Sequence, residues 1–212
     1  MHVGADGAGV AKRDRCGTDL DALFHGAAAY RLDAKKKSFL YQERRPAERA
    51  AFAAALTDLP EADCVYIDEA GVEDTLSYAY GWSAQGERCP GEKLGHRTQR
   101  VSMAAAWCCG QVLAPLTFEG YCDSELVEAW FEQELCRVLR PGQTVILDNA
   151  SFHRHQQLRQ LLAQVGCCLL PLPAYSPDLN KIEPLWNTLK GRIAHAKDQY
   201  PTFREAVDAA FL

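Results

Sequence analysis

Two short apolar runs, TVIL at 144–147 and CCLLPL at 167–172, bracket one amphipathic stretch, and this arrangement most constrains the fold. Each run has the length of a fully buried strand. Between them, Leu158, Leu161, Leu162 and Val165 recur at helical spacing over 153–164, and Gly166 supplies the stop. Strand, helix and strand in succession give a parallel pair joined by a right-handed crossover. Such a pair belongs in an α/β sheet covered by helices on both faces.

The remaining segments extend that sheet. Pro46 suits a first helical turn, and Phe52, Ala55, Leu56 and Leu59 follow at helical spacing until Pro60. CVYID at 64–68 reads as a short strand ended by Asp68, Glu69 and Gly71, and LSYAYGW at 76–82 as another. Residues 83–98 are rich in Gly and Pro and read as a loop. RVSMAAAWCC, a turn at Gly110-Gln111 and VLAPLTF complete a meander. Asp123 is placed to cap a helix over 124–139, and Thr202 with Glu205 has capping-box spacing for a last helix. The expected architecture is α/β, a mixed five-stranded sheet of three antiparallel and two parallel strands with helices on both faces. Residues 1–30 lack periodicity and are expected to be disordered or a remnant; 31–60 are expected to form a linking arm and helix, and 61–212 one catalytic domain.

Composition narrows the class. With 48% hydrophobic and 24% charged residues the chain is of ordinary globular make-up, and no run approaches a membrane span. The first residues lack the apolar stretch of a secretory signal, so a cytoplasmic protein is expected. Nine cysteines without any C-x-x-C spacing read as small core residues in a reducing compartment rather than zinc ligands or a disulfide framework. A net charge of −5 speaks against a free-standing nucleic-acid binder. The cations are nevertheless grouped, with Arg88, Lys93, Arg97 and Arg100 together and Lys181 and Lys190 further on. Each group taken alone reads as a solvated surface, and together they are the candidate DNA contacts.

Sites of α/β sheets lie at the carboxyl ends of strands. Asp68 and Asp148 follow two apolar runs, and Glu183 opens the helix holding Leu185, Leu189 and Ile193. Three carboxylates without His or Cys suit Mg²⁺ or Mn²⁺. Two such ions support in-line displacement at phosphorus. Each residue also has a plainer reading: Asp68 as a turn residue, Asp148-Asn149 as a helix cap, Glu183 as the capping partner of Asn180.

VYIDEAG, LDNASFH and LPAYSPDLNKIEPLW together resemble the catalytic domain of bacterial insertion-sequence transposases of the mariner superfamily. The resemblance runs from about Lys35 to Leu212 and includes GHRTQRVSMAAAW and LTFEGYCDS. It implies a ribonuclease H-like fold and an Asp–Asp–Glu triad, here Asp68, Asp148 and Glu183. From Asp148 to Glu183 is 183 − 148 = 35 positions, so 34 residues intervene, the spacing of that family. Asn149, His153 and Asn180 become supporting residues, and Tyr175, Ser176 and Pro177 shape the loop before Glu183. The resemblance further implies two Mg²⁺ or Mn²⁺ ions, DNA as partner (element ends and target), a homodimer in the active complex, and nucleoid association.

Relatives carry helix-turn-helix modules ahead of this domain, and residues 1–30 are too few to hold them. The expectation is therefore a catalytic half whose end-recognition module is separately encoded. A non-catalytic remnant that only associates with DNA or dimerises is the competing expectation. An aspartyl phosphotransferase ranks lower, because Ala70 stands where a second Asp is commonly found.

Overall fold

The computed structural model describes residues 41–76, 82–91, 95 and 99–212. Its strands are β1 (Cys64–Glu73), β2 (Arg100–Cys108), β3 (Gln111–Glu119), β4 (Thr144–Leu147) and β5 (Cys168–Pro171). Its α-helices are α1 (Pro46–Thr57), α2 (Ser124–Trp130), α3 (Cys136–Val138), α4 (His155–Gln164), α5 (Glu183–Ala196) and α6 (Phe203–Ala209). Between α2 and α3 the chain keeps turning as a π-helix over Phe131–Leu135.

The sheet order is β3-β2-β1-β4-β5. β1 pairs antiparallel with β2, and β2 with β3; β1 with β4 and β4 with β5 are parallel. The mixed five-stranded sheet expected from the sequence is the one observed. Of the run expected as a strand over 76–82, residues 77–81 lie outside the described residues, and Leu76 and Trp82 are not in a strand. Residues 1–30, and most of the expected arm, also lie outside them.

Alternation along β1 divides the core in two. Cys64, Tyr66 and Val72 pack with Phe52, Trp186, Leu189, Ile193 and Val207 on one face. Val65 and Ile67 pack with Val127, Phe131, Leu135, Leu158 and Leu162 on the other. Successive residues of a strand point to opposite faces, which is why one strand serves both clusters.

Two local expectations are corrected. β1 does not stop at Asp68: pairing with β2 continues through Glu73↔Arg100 and keeps the chain extended over DEAGVE. The pairing of β1 with β4, however, reaches only Tyr66↔Ile146, so Asp68 sits just past the end of the parallel ladder. The β2–β3 turn falls on Cys109-Gly110, one residue earlier than expected. Both have positive φ (49° and 83°), the conformation that a two-residue hairpin needs. Cys109 is therefore exposed while Cys108 is buried, and Cys168 is exposed beside buried Cys167. Neither adjacent pair is wholly in the core, and the described cysteines are free thiols.

The caps at Asp123 and Thr202 form as read: Asp123 Oδ1 accepts from Leu126 N at 2.9 Å, and Thr202 Oγ1 from Glu205 N at 3.2 Å. Among the described residues no helix is long and apolar enough to cross a membrane.

Candidate active site

Asp68, Asp148 and Glu183 line one cavity of about 530 Å³, together with Tyr41, Asn149, Asn180 and the loop from Leu172 to Pro177. Three separate elements deliver them: the middle of β1, the residue after β4, and the first residue of α5.

Asp68 lies on the α5 side of β1. Its Oδ2 accepts from Trp186 Nε1 at 2.9 Å. Trp186 stands one turn after Glu183, so a single helical face presents both to Asp68. Burial, chiefly, pushes the Asp68 carboxyl up to about 7; the Trp186 hydrogen bond opposes this, and the charges of Glu69 and Glu183 add to it. Replacing Trp186 with Phe removes the donor and keeps an aromatic ring. The Asp68 carboxyl of the metal-free Trp186→Phe protein is expected to titrate above the wild-type value, as read by carboxyl ¹³C NMR. An unchanged or lower midpoint would show that the hydrogen bond has no electrostatic role. The stability sign follows from linkage. Folded Asp68 keeps a proton that the unfolded chain has already released, so metal-free protein loses stability as pH rises from the ordinary carboxylate range through about 7. Asp68→Asn should flatten that slope in denaturant titrations.

Asp148 is held differently. Its Oδ1 accepts from Ala150 N at 3.0 Å, closing a local turn. His153 Nδ1 stands 3.0 Å from the same Oδ1, and the Asp148 side chain is half exposed. Burial alone would raise this carboxyl, but His153 and the Ala150 amide hold it below its ordinary value. His153 is buried with Nε2 3.0 Å from Glu69 Oε1. Burial opposes its charge, yet the contacts with Asp148 and Glu69 push it up to about 10. His153 is thus an imidazolium between two carboxylates.

The plainer readings are not what forms. α4 starts at His155 with no side-chain cap, so Asp148 and Asn149 do not cap it. Asn149 Nδ2 instead donates to Leu172 O at 2.6 Å, tying the end of β4 to the chain after β5. Asn180 is buried and donates to Ile67 O at 3.1 Å, which fixes the approach to α5 against β1 beside Asp68. The same loop is held from α1: Arg49 donates to Asp178 through both terminal guanidinium nitrogens at 2.9 and 2.7 Å. Tyr175 adopts a positive φ of 54° where the loop turns.

Of the cation candidates, Arg100 and Lys190 line a second, smaller cleft with Gly71 and Thr75. A Cβ on Gly71 would come within 2.3 Å of the Arg100 guanidinium, so the glycine is what allows Arg100 to lie across β1. Arg88 is exposed. Lys181 is engaged by Glu61 at 3.1 Å. Lys93 and Arg97 lie outside the described residues. Three contributors went unread in the sequence: Trp186, Glu69 and Arg49. Trp186 was legible from its three-residue offset from Glu183; Glu69 and Arg49 had no local signal, since their partners are far along the chain.

A family model described as DDE superfamily endonuclease matches residues 63–205, two thirds of the sequence. The chain belongs to the DDE superfamily endonuclease family. Solved structures of similar fold include the Mos1 transposase paired-end complex with left transposon end, at TM-score 0.60 and 16% identity over 85% of this chain and 59% of that one. The Mos1 strand transfer complex follows at TM-score 0.59 and 16% identity, over 84% of this chain and 56% of that one. The Mos1 mariner paired end complex with Mn gives TM-score 0.60 and 16% identity, over 86% of this chain and 60% of that one. This DDE endonuclease chain therefore spans less than two thirds of the length of those structures, and the likeness is one of fold, ribonuclease H-like. No curated protein sequence matches it.

The donor set fits a hard divalent cation, being carboxylate oxygen throughout. The Asp68 carboxyl, raised by burial and further by the charges of Glu69 and Glu183, is where a cation would offset the cost of ionisation. Among the described residues no three His, Cys, Asp or Glu side chains are gathered closely enough to hold an ion as they stand. The triad shares a cavity without forming a closed coordination shell.

Proposed function

We propose that this domain hydrolyses and transfers phosphodiester bonds of DNA, as the catalytic part of a transposase, with Asp68, Asp148 and Glu183 as ligands of two Mg²⁺ or Mn²⁺ ions. The convergence of these carboxylates from β1, β4 and α5 on one open cavity carries the reading. When bound, the ions supply Lewis acidity at the attacking and leaving oxygens of an in-line displacement.

The protein's own groups set the stage. Trp186 fixes one oxygen of Asp68, and Ala150 N–H and His153 fix one oxygen of Asp148. Arg100 and Lys190 offer positive charge to the phosphate backbone. Mobile-element ends and target DNA are the substrates, two copies act together, and a helix-turn-helix module selects the end.

The test is nicking of duplex DNA by the chain with Mn²⁺ or Mg²⁺. Cleavage is expected with either ion and is expected to vanish with EDTA and return on adding Mn²⁺ in excess. Cleavage that persists in EDTA would overturn the metal-dependent mechanism. No cleavage with either ion would favour the non-catalytic remnant.

A further inference from the structure

Asp68 and Glu69 are neighbours on β1, so their side chains leave opposite faces of the sheet. Asp68 points to the α5 side, where it meets Trp186. Glu69 points to the side covered by α2 and α4, where it meets His153. The imidazole is 1% exposed at the side chain, and Glu69 is 13% exposed. Phe152 packs edge-on against the ring, with centroids 4.6 Å apart. From this fixed ring, Nε2–H donates to Glu69 Oε1 at 3.0 Å, and Nδ1 stands 3.0 Å from Asp148 Oδ1 and 3.3 Å from Asp148 O.

The order of these contacts has a direction. Asp148 follows a four-residue strand and is half exposed, so apart from the Ala150 amide its own surroundings do little to hold it. Glu69 sits in the middle of the β1–β2 ladder, which pairs continuously from Tyr66 through Glu73. A hydrogen bond to one imidazole nitrogen sets which way the other points. The rigid end of this chain of contacts is therefore Glu69, and the end it steadies is Asp148.

We propose that Glu69 is a positioning residue for the reaction: through the buried His153 ring it orients the Asp148 carboxylate, so that one strand, β1, carries the first catalytic aspartate and also aims the second. This rests on the metal-site reading above. Glu69 touches neither substrate nor ion; it acts by keeping Asp148 aligned. Outer partners of metal-binding carboxylates and imidazoles are commonly worth 10–100-fold in affinity or activity.

The experiment compares wild type, Glu69→Ala, Glu69→Gln, Glu69→Asp and Asp148→Ala in the same two assays. These are Mn²⁺ affinity by electron paramagnetic resonance and the rate of Mn²⁺-supported DNA nicking. Glu69→Ala is expected to lower both about 10–100-fold. Glu69→Gln keeps an acceptor oxygen and is expected to return both to within about threefold of wild type. Glu69→Asp keeps the charge but withdraws the acceptor by one methylene, and is expected to lose ground like Glu69→Ala; it carries the test if the alanine variant does not fold. Wild-type values in Glu69→Ala or Glu69→Asp, beside an inactive Asp148→Ala, overturn the positioning role alone. So does a Glu69→Gln protein as impaired as Glu69→Ala. Wild-type values in Asp148→Ala overturn the metal-site reading and the positioning role with it.

Discussion

Asp148→Ala is expected to lower Mn²⁺-supported nicking at least about a thousandfold, equivalent to roughly 4 kcal/mol of transition-state stabilisation. The variant should keep its fold. Asp148 is half exposed, and the β4–β5 junction retains the Asn149 to Leu172 and Leu172 to Leu147 hydrogen bonds. What it loses is one of three carboxylates on the cavity. His153 also loses a counter-charge but keeps Glu69, so a modest drop in melting temperature is consistent with the design. Circular dichroism and a thermal melt separate that drop from unfolding. Undiminished cleavage by Asp148→Ala would remove this residue from the chemistry.

Phe131→Ala is expected to have the largest effect on stability, about 3–5 kcal/mol. Phe131 is fully buried at the π-helical turn, edge-on to Trp130 at 5.5 Å, in the cluster shared with Val65, Leu158 and Leu162. That cluster supports β1 and β4 from the side away from α5. Removing the ring leaves a cavity between the helices and the two strands that carry Asp68 and precede Asp148. For a chain of this size the melting temperature should fall by on the order of 10 °C. Urea unfolding should show a lower midpoint with an unchanged slope. A loss below about 1 kcal/mol would mean that the π-helical segment repacks to fill the space. Nicking per folded molecule, measured well below the transition, should stay near wild type, because Phe131 lines no part of the cavity.

The sheet was legible where hydrophobic period and turn chemistry agree. TVIL and CCLLPL with the helix between them led directly to β4, α4 and β5. Asp123 and Thr202 marked the helix starts they cap. The extent of β1 was not legible, because DEAG carries turn residues and only pairing with β2 keeps it extended. The triad could be listed from local position and family likeness, and the three residues do meet at one cavity. What sequence left open was how each is held. The partners of Asp68 and His153 lie 118 and 84 residues away, a separation that no local pattern encodes. Arg49 illustrates the same limit: nothing near it in the sequence marks it, yet it clamps Asp178 across 129 residues.

The delivery of Glu183 by α5, after every strand of the sheet is complete, also sets when the domain is able to act. During synthesis the ribosome releases Asp68 and Asp148 first, and their strands can pair while α5 is still being made. At about 5–20 residues per second, the stretch from Asp148 to the end of α5 at Ala196 takes roughly 2 to 10 seconds. Through that interval the nascent chain holds two carboxylates and lacks the third, along with the Trp186 donor and the Asn180 tether to β1. A centre arranged in this order stays incomplete until α5 has been made and has docked.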